Sequence, residues 1–528
     1  MKVSKWAMLI ALAGGMSAAT AMAQYGQRQP RVAQTGIEYG SYYQASAQMP
    51  AGSPSDMAPA TAPMEAAPPA AEAAPVASYA GGCTDGTCTS ACPTDPGCAA
   101  NCTNGACDPG CGADAACGCD SGCGTGCEEC KLECEDRDDP WRLFGHCNES
   151  NCHDLNFRGW VAAGYFGNFD NPASNWNGPV TFGDRDEPLL NQLYFIAEKQ
   201  TVANTEAGDI GWGGRIDLLY GSDYRFNISR GLSARDNFTA KWDTNRFYGL
   251  DLPQLYAEVG NKKLNAKLGR FYTIIGYQVV TAPDNFFYSI PYTFQYGEPF
   301  THTGALVTYN ANDQLALFGG ITNGWDNFDN VVGYQSVLYG ATFTASDGNS
   351  KLAVAGHYGK DSTTFGIPEP TDDRHIMSIV YSRTLTDRLS YVFQSDNGYQ
   401  ENVNNSGERG EWYGINQYLF YKINCSWTAG IRAEWFRDDD GTRVAAVGDY
   451  PALGFSTNPA STGGWAGNFY DVALGANWKP YNFPNLTVRP EIRYDWYDGP
   501  VNAGGTNPYD DGASDNQWLI GGDVIYVY

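Results

Sequence analysis

Charged residues two positions apart are the first chemistry legible in this chain. Arg489, Glu491, Arg493 and Asp495 alternate with Val488, Pro490, Ile492, Tyr494 and Trp496. Arg432 and Glu434 alternate with Ile431, Ala433 and Trp435, and Arg215 and Asp217 with Gly214, Ile216 and Leu218. A spacing of two puts each charged set on one face of a strand and its apolar neighbours on the other. Rings on one face and both signs of charge on the other do not suit the core of a soluble sandwich. They suit a strand with lipid on one side and water on the other. The eight charged residues are then candidates to line an aqueous path and guide ions. They would also brace the wall as hydrated pairs, which avoids the penalty of isolated ions in a low dielectric.

Groups that carry catalysis elsewhere are sparse. From 155 onward the histidines are His302, His357 and His375, and none stands in a recognisable arrangement of nucleophile and base. No enzyme and no cofactor are expected. The stretch RDDDGTR at 437–443 resembles a calcium loop until it is aligned, when Phe436 falls on the first ligand position. A turn is expected there.

Fifteen of the 16 cysteines lie between Cys83 and Cys152. Cys83, Cys88, Cys92 and Cys98 recur 19 residues later as Cys102, Cys107, Cys111 and Cys117. Almost no apolar residue accompanies them, so cross-links or metal must order this stretch if anything does. The intervals lack the paired C-x2-C of zinc ribbons, and an exported chain meets an oxidising compartment, so disulfides are expected. HCNESNCH, which contains Cys147 and Cys152, is the better local metal candidate, but a single disulfide is the expected reading and no metal site is assigned. Fifteen thiols cannot all pair among themselves. One is left for another chain, a metal or Cys425.

The elements that must position these groups follow from the rest of the chain. Lys2, Lys5, an apolar run and Ala21-Met22-Ala23 mark residues 1–23 as a secretory signal peptide. An Ala/Pro/Gln-rich spacer over 24–82 buries little and is read as disordered. The Cys-rich segment covers 83–154, and alternating strands occupy 155–528. Beyond the N-terminus no run approaches the roughly 20 apolar residues of a membrane helix. The formal charge of −26 argues against nucleic acid. It divides into 7 basic and 18 acidic residues up to 154, and 26 and 41 thereafter. An acidic barrel would favour cations mildly, although acidic outer loops would carry part of the same charge.

Strands are expected near 156–168, 189–199, 210–220, 253–260, 264–273, 304–310, 314–322, 335–345, 351–359, 374–384, 388–395, 411–421, 425–436, 467–478, 486–497 and 516–528. Their connections alternate long and short, as in outer-membrane barrels. The turn over 200–209 is longer than its class, and 411–421 keeps a poor register. The fold class is therefore all-β: a transmembrane antiparallel β-barrel of about 16 strands, with lumen enough for a channel. Its last strand, WLIGGDVIYVY, ends on Tyr528 and resembles the signal read by barrel insertion machinery.

The third long connection, Ile274 to Thr303, is rich in Phe and Tyr, with Asp284 and Glu298 its acids and no Lys or Arg. That is too apolar for a loop wholly in water. Infolding against the inner wall explains it, with Asp284, Phe286, Phe287, Tyr288, Tyr292, Tyr296 and Glu298 as constriction candidates. A cap at the outer mouth is the other reading, and rings stacking on sugars a third.

The segments NGPVTFGDRDEPLLNQLYF, GWGGRIDLLYGSDY, LPQLYAEV, LGRFYTIIGYQVVTAPDNFFYS, YGEPFTHTG and NGWDNF resemble the β-barrel porin-2 (OmpL-like) family. The resemblance runs from about Pro140 to Tyr528. It implies an outer-membrane pore for passive diffusion of small hydrophilic solutes and ions, and it supplies no catalytic or substrate residues. The Ala/Pro spacer and Cys repeat lie outside it. The alternative is an outer-membrane anchor whose Cys-rich segment cross-links to envelope proteins. Expected partners are outer-membrane lipid, the insertion machinery, a homotrimer by analogy with sixteen-stranded porins, and disulfide-linked envelope proteins. Even strand parity puts the N-terminal segment on the periplasmic side.

Overall fold

The computed structural model describes residues 155–528 apart from 181, 200–204, 234–240, 244–246, 331–332, 363–370, 404–407 and 445–463. The signal peptide, the spacer and the cysteines from Cys83 to Cys152 lie outside the described residues.

Period-two sequence becomes one closed sheet. Its strands are β1 (Leu155–Asn168), β2 (Leu189–Lys199), β3 (Gly211–Gly221), β4 (Gly249–Asp251), β5 (Leu255–Gly260), β6 (Leu264–Tyr272), β7 (Thr301–Asn310), β8 (Leu315–Thr322) and β9 (Ser336–Thr344). They continue as β10 (Ser350–Ser362), β11 (Thr371–Thr386), β12 (Leu389–Gln400), β13 (Gly410–Lys422), β14 (Trp427–Asp438), β15 (Gly467–Trp478), β16 (Leu486–Asp498) and β17 (Asn516–Val527). Each pairs antiparallel with its neighbours, and β1 pairs with both β2 and β17, which closes the barrel. At the seam Gly159 and Tyr528 exchange backbone hydrogen bonds of 2.9 and 2.8 Å. β4 and β5 both pair with β3. Between them lies Leu252-Pro253-Gln254, where proline has no N–H for the ladder. The two pieces form one interrupted stave, so the barrel has sixteen staves, at the positions the alternation predicts.

Outward positions make the lipid face. Trp212, Ile321, Leu474, Trp518 and Ile520 are 46–67% exposed. Near the long-loop end, Tyr470, Trp496, Tyr494 and Trp518 form a run of ring contacts at 4.5–5.5 Å. At the short-turn end Trp427 and Trp478 stack at 6.0 Å. Aromatic girdles at both edges are the arrangement a bilayer interface selects.

The interior does not follow the simple expectation of a wet inner face. Along β7 to β12 the inward residues include Leu306, Phe318, Leu338, Ala355, Ile376 and Val392, all buried. Only the arc from β14 through β17 to β3 carries the predicted charges. The poor register at 411–421 has the same origin: inward Trp412, Tyr418 and Phe420 of β13 are buried, with Asn416 the polar residue among them, so rings occupy the face where alternation would place polar groups.

Candidate functional site

Residues 273–300, between β6 and β7, fold into the barrel and lie against the wall on its far side. We call this stretch L3. It springs from the fifth and sixth staves and is bound by side chains of β12 to β16 and by Asn191 and Gln192 of β2. Phe286, Phe287, Tyr288, Ile290, Tyr292, Phe294 and Tyr296 are each no more than 4% exposed. The rings of L3 thus pack inside the barrel against its wall, where infolding puts them and an outer cap does not.

Carboxylates and guanidiniums of the wall grip the backbone of L3. Glu491 accepts the N–H of Tyr288 at 2.8 Å and of Ser289 at 3.0 Å, together with the Ser289 hydroxyl. Glu434 accepts the N–H groups of Tyr292 and Thr293, both at 2.7 Å, and the Thr293 hydroxyl at 2.6 Å. Guanidiniums take the carbonyls. Arg489 donates to Ala282 and Asn285, Arg432 to Ser289, and Arg493 to Ile290, all at 2.6–2.8 Å. Asp495 accepts the Tyr292 hydroxyl at 2.9 Å. Outside its short helical turns Ala282–Asp284 and Thr293–Gly297, and at their first residues, L3 has peptide groups with no partner of their own, and burying them requires one. Here the charged wall supplies them.

Six of the eight charges predicted to face an aqueous path therefore hold L3 instead. All eight point inward, as alternation requires, but are 0–4% exposed. Arg215 and Asp217 pair with each other at 2.6 Å, and Asp217 also accepts the hydroxyl of Tyr194 and the amide of Gln254. Residual charge is balanced within the wall by Arg432–Asp471 at 3.0 Å and Arg489–Asp523 at 2.6 Å.

Among the loop candidates, Asp284 is half-buried and accepts from Thr281 at 2.6 Å. Glu298 is buried at the far end of L3, where Gln394 of β12 donates to it at 2.6 Å and to Asp396 at 3.0 Å. Burial, with Asp396 beside it, pushes the Glu298 carboxyl well above the usual carboxylate range. Among the described residues, no base stands within ion-pair distance of either acid.

Inward glycines form sockets for the loop. A Cβ on Gly430 would lie 2.5 Å from the Phe286 ring, one on Gly414 2.5 Å from Thr293, and one on Gly164 2.4 Å from Tyr288. Phe286 also meets Phe420 at 4.7 Å and Phe287 at 4.8 Å. Sequence reasoning missed these glycines, as well as Ser289 and Thr293. The available signal was their position among inward residues of otherwise regular strands.

At the long-loop end, L3 meets residues that follow β14. Asp438 accepts the backbone N–H groups of Thr442, Arg443 and Val444 at 2.7–3.1 Å, so RDDDGTR is a turn. It aims Arg443 at L3, whose Tyr296 carbonyl accepts from Nε at 2.6 Å. The Arg443 guanidinium lies 4.5 Å from the Trp412 ring centre and 5.2 Å from that of Trp325, and the two indoles meet edge to face at 6.0 Å. Burial and the neighbouring Arg374 hold this guanidinium down to about 9.

The histidines pack. His302 stacks on His357 at 5.3 Å and contacts the Thr273 hydroxyl at 3.1 Å, while His375 contacts the Tyr339 hydroxyl at 3.0 Å. Cys425 stands in the turn between β13 and β14, at the short-turn end.

Residues 154–527 match the model of the family described as "Putative beta-barrel porin-2, OmpL-like". The chain belongs to this porin family. Membership covers the whole barrel and none of the N-terminal segment. Solved porins share the barrel at low identity. The outer membrane channel DcaP of Acinetobacter baumannii is 13% identical with a TM-score of 0.47, covering 71% of this chain and 97% of its own. OprB of Pseudomonas putida is 14% identical with a TM-score of 0.45, covering 71% and 94%. An anion-selective porin from Comamonas acidovorans is 8% identical with a TM-score of 0.46, covering 71% and 99%. No curated protein matches the sequence.

Proposed function

We propose that this outer-membrane barrel is a passive channel for small hydrophilic solutes and ions, and that L3 sets its bore. The observation that carries the reading is the span of L3 from the β6–β7 edge to the β14–β16 wall, held at each crossing by charge-assisted hydrogen bonds. A loop serving as an outer cap would have no need of wall carboxylates on its peptide groups.

A mild cation preference follows in this reading from the charge of the barrel residues, 26 basic against 41 acidic from 155 onward. Leu155 and Tyr528 both stand at the short-turn end, which is then the periplasmic side. The histidines keep the packing roles described above, and no catalytic step enters.

Purified protein reconstituted in planar bilayers should give discrete conductance steps, with a reversal potential displaced toward that of the cation under a salt gradient. Deleting 283–296 with the barrel retained should raise the step size. Folded protein that gives no steps overturns the channel, and an unchanged step size in the deletion removes L3 from the conducting path.

A further inference from the structure

We propose that Arg443 is the contact for the carboxylate of a small anionic solute, on the long-loop side of the constriction. Other arginines of the inner wall meet acid. Arg215 meets Asp217 at 2.6 Å, Arg374 meets Asp361 at 2.5 Å, and Arg493 meets Asp495 at 2.7 Å. Arg443 is built differently. Of the three carboxylates that precede it, Asp438 gives its oxygens to three backbone N–H groups, Asp439 pairs with Arg437, and Asp440 accepts the N–H of Glu411. Nε is fixed on the Tyr296 carbonyl. Among the described residues, neither terminal nitrogen has a hydrogen-bond partner, and no carboxylate lies within ion-pair distance.

The rest of the cluster orients the group. Trp412 is tied to L3 through Nε1 on the Gly297 carbonyl at 3.0 Å, and it lies beside the guanidinium with Trp325. Indoles packed on a guanidinium leave its hydrogen-bonding edge for a ligand. Arg374 stands 5.0 Å from the same Trp325 ring, so a second guanidinium, itself paired with Asp361, shares the indole. A half-buried guanidinium without a counter-ion is costly in a low dielectric, and a planar carboxylate fits its two terminal nitrogens with parallel hydrogen bonds. The inference rests on the channel reading only for the solute's being cargo. The binding chemistry stands without it.

The test uses the full chain folded in detergent, with phenylglyoxal as a guanidinium reagent and peptide mapping to follow Arg443. Acetate should slow modification of Arg443 at least fivefold, whereas acetamide at the same concentration should not. Fluorine NMR provides the second measurement. Trifluoroacetate should broaden on binding and sharpen when acetate displaces it. In R443Q that broadening should fall at least fivefold, with R443K intermediate because lysine keeps the charge and loses the fork. Equal labelling rates with and without acetate overturn the proposal, as does full broadening in R443Q. Inorganic phosphate protecting tenfold better than acetate overturns the carboxylate assignment. Neither measurement reads conductance. A barrel that binds in this way and fails to conduct refutes the channel reading alone.

Discussion

Glu434 of β14 receives both the backbone N–H and the hydroxyl of Thr293, at 2.7 and 2.6 Å. A wall carboxylate thus does for a loop peptide what a neighbouring strand would do in a sheet. Replacing it with alanine leaves the Tyr292 and Thr293 amides buried and unpaired, at about 1–3 kcal/mol for each such group. E434A should unfold at a lower temperature, read from the heat-dependent shift in gel mobility, and should conduct more than wild type. A variant with unchanged mobility and unchanged conductance would mean that this carboxylate does not hold the loop.

Gly430 offers a steric test of the same docking. In G430L the added side chain would start 2.5 Å from the Phe286 ring, and overpacking of this kind costs about 1–3 kcal/mol. L3 should lift from the wall, and single-channel conductance should rise. G319A is the control, since a Cβ on Gly319 meets nothing within 4 Å. Its conductance and thermal stability should match wild type.

Asp326, in the connection between β8 and β9, accepts the N–H groups of Phe300 and Thr301, both at 2.8 Å, at the end of L3. Burial raises its carboxyl to about 6. A carboxyl held above its unfolded value contributes stability in full below pH about 4, and loses it as pH rises through about 6. The shift corresponds to roughly 3 kcal/mol. Denaturant unfolding of wild type should therefore lose stability relative to D326N between pH 4 and pH 7. A difference that stays constant across that range removes Asp326 from the pH response.

Tyr292 joins L3 to the opposite wall through a single hydroxyl, which donates to Asp495 at 2.9 Å and lies 2.8 Å from the Tyr509 hydroxyl. Y292F should lower stability by about 1 kcal/mol, the net worth of a buried hydrogen bond. Because the backbone amide bonds to Glu434 remain, conductance should stay at the wild-type level. A conductance rise comparable to that of E434A would place the anchor in the side chain rather than in the backbone.

The sixteen staves were legible because each keeps lipid on one face, and a single-face constraint fixes a period of two. The inward set along 214–217, 431–435 and 488–496 was legible for the same reason. Its burial was not. Whether Arg493 meets water or the Ile290 carbonyl is decided by a segment some 200 residues earlier, and no local pattern records that. The ring content of L3 did signal a covering wall. Identifying the wall needed the register of Gly430, Gly414 and Gly164, which in sequence are ordinary strand glycines. Arg443 carries no such mark, because within RDDDGTR it reads as one more charged residue of a turn.

The residues of β12 to β16 that hold L3 are made after L3 itself, whereas Asn191 and Gln192 of β2, which bond Tyr288, Val280 and Ala282, precede it. Thr293 waits 141 residues for Glu434, Tyr288 waits 203 for Glu491, and Asn285 waits 204 for Arg489. Contacts of such separation form late, because the loop-closure entropy must be met first. A chain interrupted before β16 would lack Arg489, Glu491, Arg493 and Asp495 together. In the proposed channel the bore set by L3 is therefore acquired only as the last hairpins complete the cylinder, so a nascent barrel would pass through a wider aperture than the finished one.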